Sequence, residues 1–152
     1  MLLAAGADVN ARTLSSDVMG GGRTALHNVV WKGRVDAVEV LIAGVSDVNA
    51  KTGYGATPLH FGAAGEGNWE KIVERILAAG ADVEARTTAK GETPLHWAAD
   101  SGRVAVVRIL LAAGADKTVK ATDGRSALDM AKFREHTKVI ELLGNSLFTW
   151  QS

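Results

Sequence analysis

Gly91–Asp116 reads GETPLHWAADSGRVAVVRILLAAGAD and is the clearest copy of a unit written several times along the chain. GRTALHNVV begins at Gly22, GATPLHFGAA at Gly55 and GRSALDMAK at Gly124, so the four starts are almost evenly spaced. In the Gly91 copy, Thr93 is placed as an N-cap whose hydroxyl accepts a first-turn amide. Pro94 follows where a missing N–H costs nothing and a preset φ helps. Leu95, Ala98 and Ala99 give this short helix an apolar side, with two small residues that let a second helix come close. Gly102 breaks it. Val104, Val107, Leu110 and Leu111 then recur at helical spacing, and Gly114 ends the second helix in a conformation that glycine adopts without steric cost. Two helices this short cannot bury their apolar faces on each other alone, so the units must stack into one continuous core.

A period of roughly 33 residues carrying T-P-L-H-x-A is the signature of the ankyrin repeat. The chain resembles an ankyrin-repeat protein over nearly all of its 152 residues. The resemblance implies an all-α repeat solenoid, with helix-turn-helix units joined by β-hairpin-like fingers in a single domain. Residues 1–21 are expected to be a partial N-terminal repeat plus a long finger, 22–54 a repeat, and 55–90 a repeat with an insertion. Residues 91–123 are a further repeat, 124–144 a C-terminal capping repeat and 145–152 a tail. Several positions depart from the pattern. Ala25 replaces the proline, Val29 and Val30 replace paired alanines, and Val45 stands where a helix-stopping glycine belongs. The second repeat is three residues too long, two of them near Ala64–Asn68 and one in Thr87–Lys90. Trp69, next to the longer turn, is expected to cover it. The tail at Ser146–Trp150 is apolar and is read as extra capping over the end, a docking segment being the alternative.

Composition narrows the role. Apolar content is 47%, aromatic content 5% and formal net charge zero, which disfavours a nucleic-acid partner. Residues 1–102 hold 9 basic and 12 acidic side chains and residues 103–152 hold 8 and 5, a −3/+3 asymmetry read as a solvated surface. No cysteine is present, so disulfides and thiolate metal sites are excluded. Met1–Ala7 is explained as the end of a repeat and not as a signal peptide. No stretch reaches the roughly 18 apolar residues of a membrane span. An intracellular, mainly cytoplasmic monomer is expected, with self-association through the thinly covered N-terminal end as the alternative.

Nothing in the pattern supports catalysis, a metal or a cofactor. His27, His60 and His96 recur at one position of the repeat. The resemblance implies that they are structural, bonding the neighbouring Thr24, Thr57 and Thr93 and the backbone. His136 is read as a turn histidine on the end cap. No H-E-x-x-H spacing and no nucleophile elbow occur. Asn10 and Asn49 resemble ankyrin positions that asparaginyl hydroxylases modify; the competing reading is a side chain that bonds the finger turn.

The resemblance also implies where a protein partner sits, namely on the concave face made by fingers and first helices. Position by position this nominates Arg23, Trp31, Lys32, Tyr54, Phe61, Glu66, Lys90, Glu92, Trp97, Asp100, Ser101, Arg125, Met130, Phe133 and Arg134. Phe61, Trp97 and Met130 occupy equivalent places and are expected to form an apolar ladder; aromatic groups beside arginines are the composition of binding hot spots. The competing expectation is that these side chains only pack between adjacent helices. The leading functional reading is a non-catalytic protein-binding scaffold. The alternative is a structural fragment of a longer ankyrin-repeat protein whose main partner site lies elsewhere.

Overall fold

The computed structural model describes residues 10–12, 21–44, 47–65 and 69–144. These form eight helices in four pairs: α1 Ala25–Trp31 with α2 Val35–Ala43, α3 Pro58–Ala64 with α4 Glu70–Ala78, α5 Pro94–Ser101 with α6 Val104–Ala112, and α7 Ala127–Phe133 with α8 Thr137–Gly144. The first helices of the pairs pack against one another in chain order, and so do the second helices, giving two parallel rows. The fingers between pairs are narrow reversals. Thr52 N–H bonds Ala56 O, Thr87 N–H bonds Glu92 O and Ala121 N–H bonds Arg125 O. Among the described residues the one β feature is an isolated bridge between Lys120 and Ser126, and no helix is long and apolar enough to cross a membrane.

The core lies between the rows. Leu26, Leu59, Leu95 and Ala127 come from the first helices; Val38, Ile72, Ile76, Val107, Leu110 and Val139 come from the second. In α6 the buried positions are Val106, Val107 and Leu110, with Val104 and Leu111 only half-buried. Helical spacing alone places Val104 and Leu111 inside. The difference arises because α6 contacts α4 and α8 on its flanks as well as α5 beneath, which moves the buried arc toward Val106.

Each first helix starts with the same device. Thr24, Thr57 and Thr93 cap their helices through the side chain, and the histidine three residues on returns a bond to the cap's own backbone N–H. This is a capping box with imidazole in the place usually held by glutamate. In α7 the pair is Ser126 and Asp129; bonds from Ser126 hold the Asp129 carboxyl below its ordinary pKa.

Neighbouring units are tied at three levels. At the root of the finger, His27, His60 and His96 donate from Nε2 to Ala56 O, Glu92 O and Arg125 O at 3.0, 2.8 and 3.2 Å. Near the fingertips, Gly53 N–H bonds Gly21 O, Thr88 N–H bonds Tyr54 O and Thr122 N–H bonds Lys90 O. At the opposite edge, Asn10, Asn49 and Glu84 accept from the backbone N–H of Asp47, Asp82 and Asp116. Asn49 therefore secures the next unit's loop and not its own finger, and its Nδ2 also donates to Gly80 O.

The turn between helices carries a further contact. Trp69 Nε1 donates to Val30 O at 2.6 Å, and its indole lies against Gly33 and Gly65, where an added Cβ would sit within 2.8 and 2.5 Å of the ring. His136 does the same work two units later. It donates to Asp100 O at 2.9 Å and lies against Gly102, so this turn histidine of the end cap is docked on the preceding unit. Asn68, Val45 and the tail lie outside the described residues.

Close approach at the fingers gives a testable contrast. Gly55 has φ +79°, and a Cβ there would stand 2.7 Å from the backbone nitrogen of Thr88. Gly114 has φ +97° with nothing within 4 Å. Gly55→Ala should cost about 2–4 kcal/mol, from left-handed strain plus overpacking, and Gly114→Ala about 1 kcal/mol from strain alone. Urea denaturation of the two variants checks this; equal losses would contradict the close finger packing.

Candidate functional site

The finger side holds two adjoining depressions. One, of about 440 Å³, lies over α5 and α7 and is bordered by Trp31, Trp97 and Phe133, with Lys90, Glu92 and Arg125 on the finger side and Asp100, Ser101 and Arg134 at the helix ends. The other, of about 470 Å³, lies between the fingers and is lined by Tyr54, Ala56, Thr87, Ala89, Lys90, Glu92 and Trp97. Trp97, Lys90 and Glu92 are shared, so the two form one continuous groove with Trp97 on the ridge between them.

Trp97 is held firmly. Its ring stacks on Phe61 at 6.2 Å with 15° between planes and meets His60 edge-on at 5.1 Å. Its indole N–H donates to Glu92 Oε2 at 2.8 Å. One face is thus packed, the polar edge is satisfied, and the rest of the ring is presented to the groove. Trp31, Tyr54 and Phe133 are 45%, 47% and 74% exposed, far more than such side chains are in a core. Arg134 lies over the Phe133 ring at 6.0 Å and pairs with Asp100 at 3.0 Å. Arg125 pairs with Asp123 at 2.7 Å, and bonds from its backbone and side chain hold the Asp123 carboxyl below its ordinary pKa.

Two nominated residues are corrected. Phe61 is 0% exposed, since Trp31 and His27 meet it edge-on while Trp97 stacks on it. It is a pillar under the surface. Met130 is buried and contributes only the floor of the depression over α5 and α7. The expected ladder therefore reduces to Trp97. Arg23 and Lys32 are half-buried and exposed respectively but border neither depression; Glu66 lies outside the described residues.

The histidines are committed to structure. Burial pushes the His27 and His60 imidazoles down to about 4, and burial lowers His96 as well. Each is neutral, with Nδ1 accepting from its threonine and Nε2 donating across to the next unit. Among the described residues no group of three or more His, Asp or Glu side chains is placed to hold a metal ion.

Comparison with known families now decides the class. The model for ankyrin repeats (3 copies) matches residues 1–87, 26–121 and 61–147. The chain belongs to the ankyrin-repeat family. It is similar to the tyrosine-protein kinase Shark of Drosophila melanogaster, 32% identical over 82% of this chain and 13% of that protein. It is also similar to human ankyrin repeat and SOCS box protein 16, 34% identical over 86% of this chain and 27% of that protein, and to the tyrosine-protein kinase HTK16 of Hydra vulgaris, 31% identical over 91% of this chain and 17% of that protein. The ankyrin-repeat chain thus spans about a quarter or less of the length of these relatives. Ankyrin repeats mediate protein–protein interaction and form a fold without chemistry of its own.

Proposed function

We propose that this chain is a non-catalytic module that binds a protein partner on its finger side, with the groove around Trp97 as the main anchor. One observation carries the reading. Trp31, Tyr54 and Phe133 are large, exposed and gathered around a braced Trp97, beside Arg125 and Arg134. Aromatic and arginine side chains around a concavity are what hot spots are made of. His27, His60 and His96 have both ring nitrogens occupied by hydrogen bonds, which leaves none of the three for acid–base work. An intracellular site of action and a division into repeats at 22–54, 55–90, 91–123 and 124–144 belong to the same proposal.

The test is affinity capture from lysate of the source organism, with the wild-type chain beside a Tyr54→Ala/Phe133→Ala variant. Both replaced side chains are exposed, so the fold should survive, which circular dichroism verifies. A protein retained by the wild type and lost by the variant is the expected result, with at least about 2 kcal/mol of binding removed at the stronger position. Equal retention would move the site off this groove. The short coverage of the relatives favours a second reading, in which the chain is one segment of a longer ankyrin-repeat protein whose main partner site lies outside it. Retention of nothing by the wild type would favour that reading.

A further inference from the structure

Charge in this neutral chain is sorted by edge. The described finger residues, 11–12, 21–23, 50–56, 85–92 and 119–125, hold seven lysines and arginines against two acids, Glu92 and Asp123. The loops at the opposite edge, 47–49, 79–84 and 113–118, hold Asp47, Asp82, Glu84 and Asp116 against Lys117 alone. The basic residues are also in register. Arg12, Lys51, Arg86 and Lys120 recur at matching places in successive fingers. Arg12 donates to Lys51 O and Arg86 donates to Lys120 O, so these rungs touch in pairs. The row lies along the roots of the fingers, where Lys51 disfavours a proton on His60 and Arg86 disfavours one on His96.

Five of the seven basic residues, Arg12, Lys51, Arg86, Lys90 and Lys120, form no ion pair with a described residue. Arg12 and Arg86 bond backbone carbonyls, which leaves their charge uncompensated. Of the two finger acids, Asp123 is paired with Arg125, and Glu92 accepts from the Trp97 indole and keeps its charge, one carboxylate against the rest of the row. Lys51, Lys90 and Lys120 are exposed and form no ion pair with a described residue. Lys90 and Arg125 border the groove itself. A groove with an apolar ridge and one basic bank selects a ligand of opposite pattern.

We infer that the groove takes an extended acidic segment of a protein partner, with a bulky apolar side chain set between Trp97 and Phe133, carboxylates on the basic finger residues that border it, Lys90 and Arg125, and further carboxylates outside the groove on the exposed finger lysines Lys51 and Lys120. This rests on the reading that the finger side binds protein, and it adds the chemistry of what binds there. A protein segment is favoured over nucleic acid because the apolar ridge is half of the site, and because the chain as a whole carries no net positive charge.

The test uses three fluorescent twelve-residue peptides with the same three leucines and all other positions glutamate, glutamine or lysine, plus a dT12 oligonucleotide. Anisotropy is read against the wild-type chain and a folded Lys90→Glu/Lys120→Glu variant. The expected result is that the glutamate peptide binds tightest, weakens at least about tenfold in the charge-reversed variant, and weakens further between low and high salt. Equal binding of the glutamine peptide, or preference for the lysine peptide, overturns the acidic assignment while leaving the groove as a protein site. Tighter binding of dT12 lost with the two lysines overturns it in favour of nucleic acid. Binding of none of the four overturns it as well. Capture with the Tyr54→Ala/Phe133→Ala variant judges the broader reading independently.

Discussion

As pH falls from 6.5 to 4, the fold should lose on the order of 3 kcal/mol for each of His27 and His60. Both imidazoles are buried and neutral, with pKa values of about 4 against an ordinary 6.5. In the unfolded chain they take up protons as pH drops below 6.5, whereas in the fold they do not until about 4. Over that window the unfolded state binds more protons, so stability is full above 6.5, declines steadily below it and has lost this contribution once pH passes 4. The cause is geometric. A proton on Nδ1 would face the Thr24 or Thr57 backbone N–H that this nitrogen now accepts from, and the charge would sit in the core. Urea midpoints at pH 7, 5.5 and 4.5 measure the loss, and His60→Gln should make the profile shallower. An imidazole of His60 that titrated near 6.5 in the folded protein, by NMR, would refute the buried clasp.

Phe61→Ala should cost about 3–5 kcal/mol. The ring is 0% exposed and is contacted by three other rings, His27 at 5.1 Å, Trp31 at 5.9 Å and Trp97 at 6.2 Å. Truncation would leave a hole that α1, α3 and α5 cannot close without moving their backbones. The loss would also reach the surface, because Trp97 stacks on this ring. Thermal and urea unfolding give the first number. A variant of Phe61 that stayed within about 1 kcal/mol of wild type while abolishing partner binding would restore it as a contact residue and contradict the packing described above.

The contrast among Phe61, Trp97 and Met130 shows how far the sequence can be read. All three occupy the same motif position, and the repeat alone assigns them one common environment. Whether the position meets solvent depends on its neighbours along the row. Phe61 has Trp31 on one side and Trp97 on the other and is covered, whereas Trp97 is larger and is drawn by Glu92 toward the groove. That information lies in the sizes of side chains a whole repeat apart, not in any one repeat. Helix pairing and the Thr–His capping are legible, because each follows from a local pattern. The docking of His136 on Gly102 is not, though Trp69 and Gly33 give a signal: both pairs place a ring-bearing side chain opposite a turn glycine one unit earlier. The basic row is hidden by a net charge of zero, which sums over two edges of opposite sign.

The clasps between units have a consequence for how such a chain can change length. His27, His60 and His96 each reach a carbonyl that stands just before the next unit's cap, at Ala56, Glu92 and Arg125. The plug on one side of a unit therefore matches the socket on the other. Excision of residues 55–90 would bring His27 opposite Glu92 O and leave a competent joint, whereas excision of half that length would leave both partners stranded. Insertions and deletions in whole units are tolerated by the chemistry of the joint, and fractional ones are not. Trp69 qualifies this interchangeability, because the same cut would remove the ring that fills the space beside Gly33; the shortened array would keep its clasps and lose its wedge.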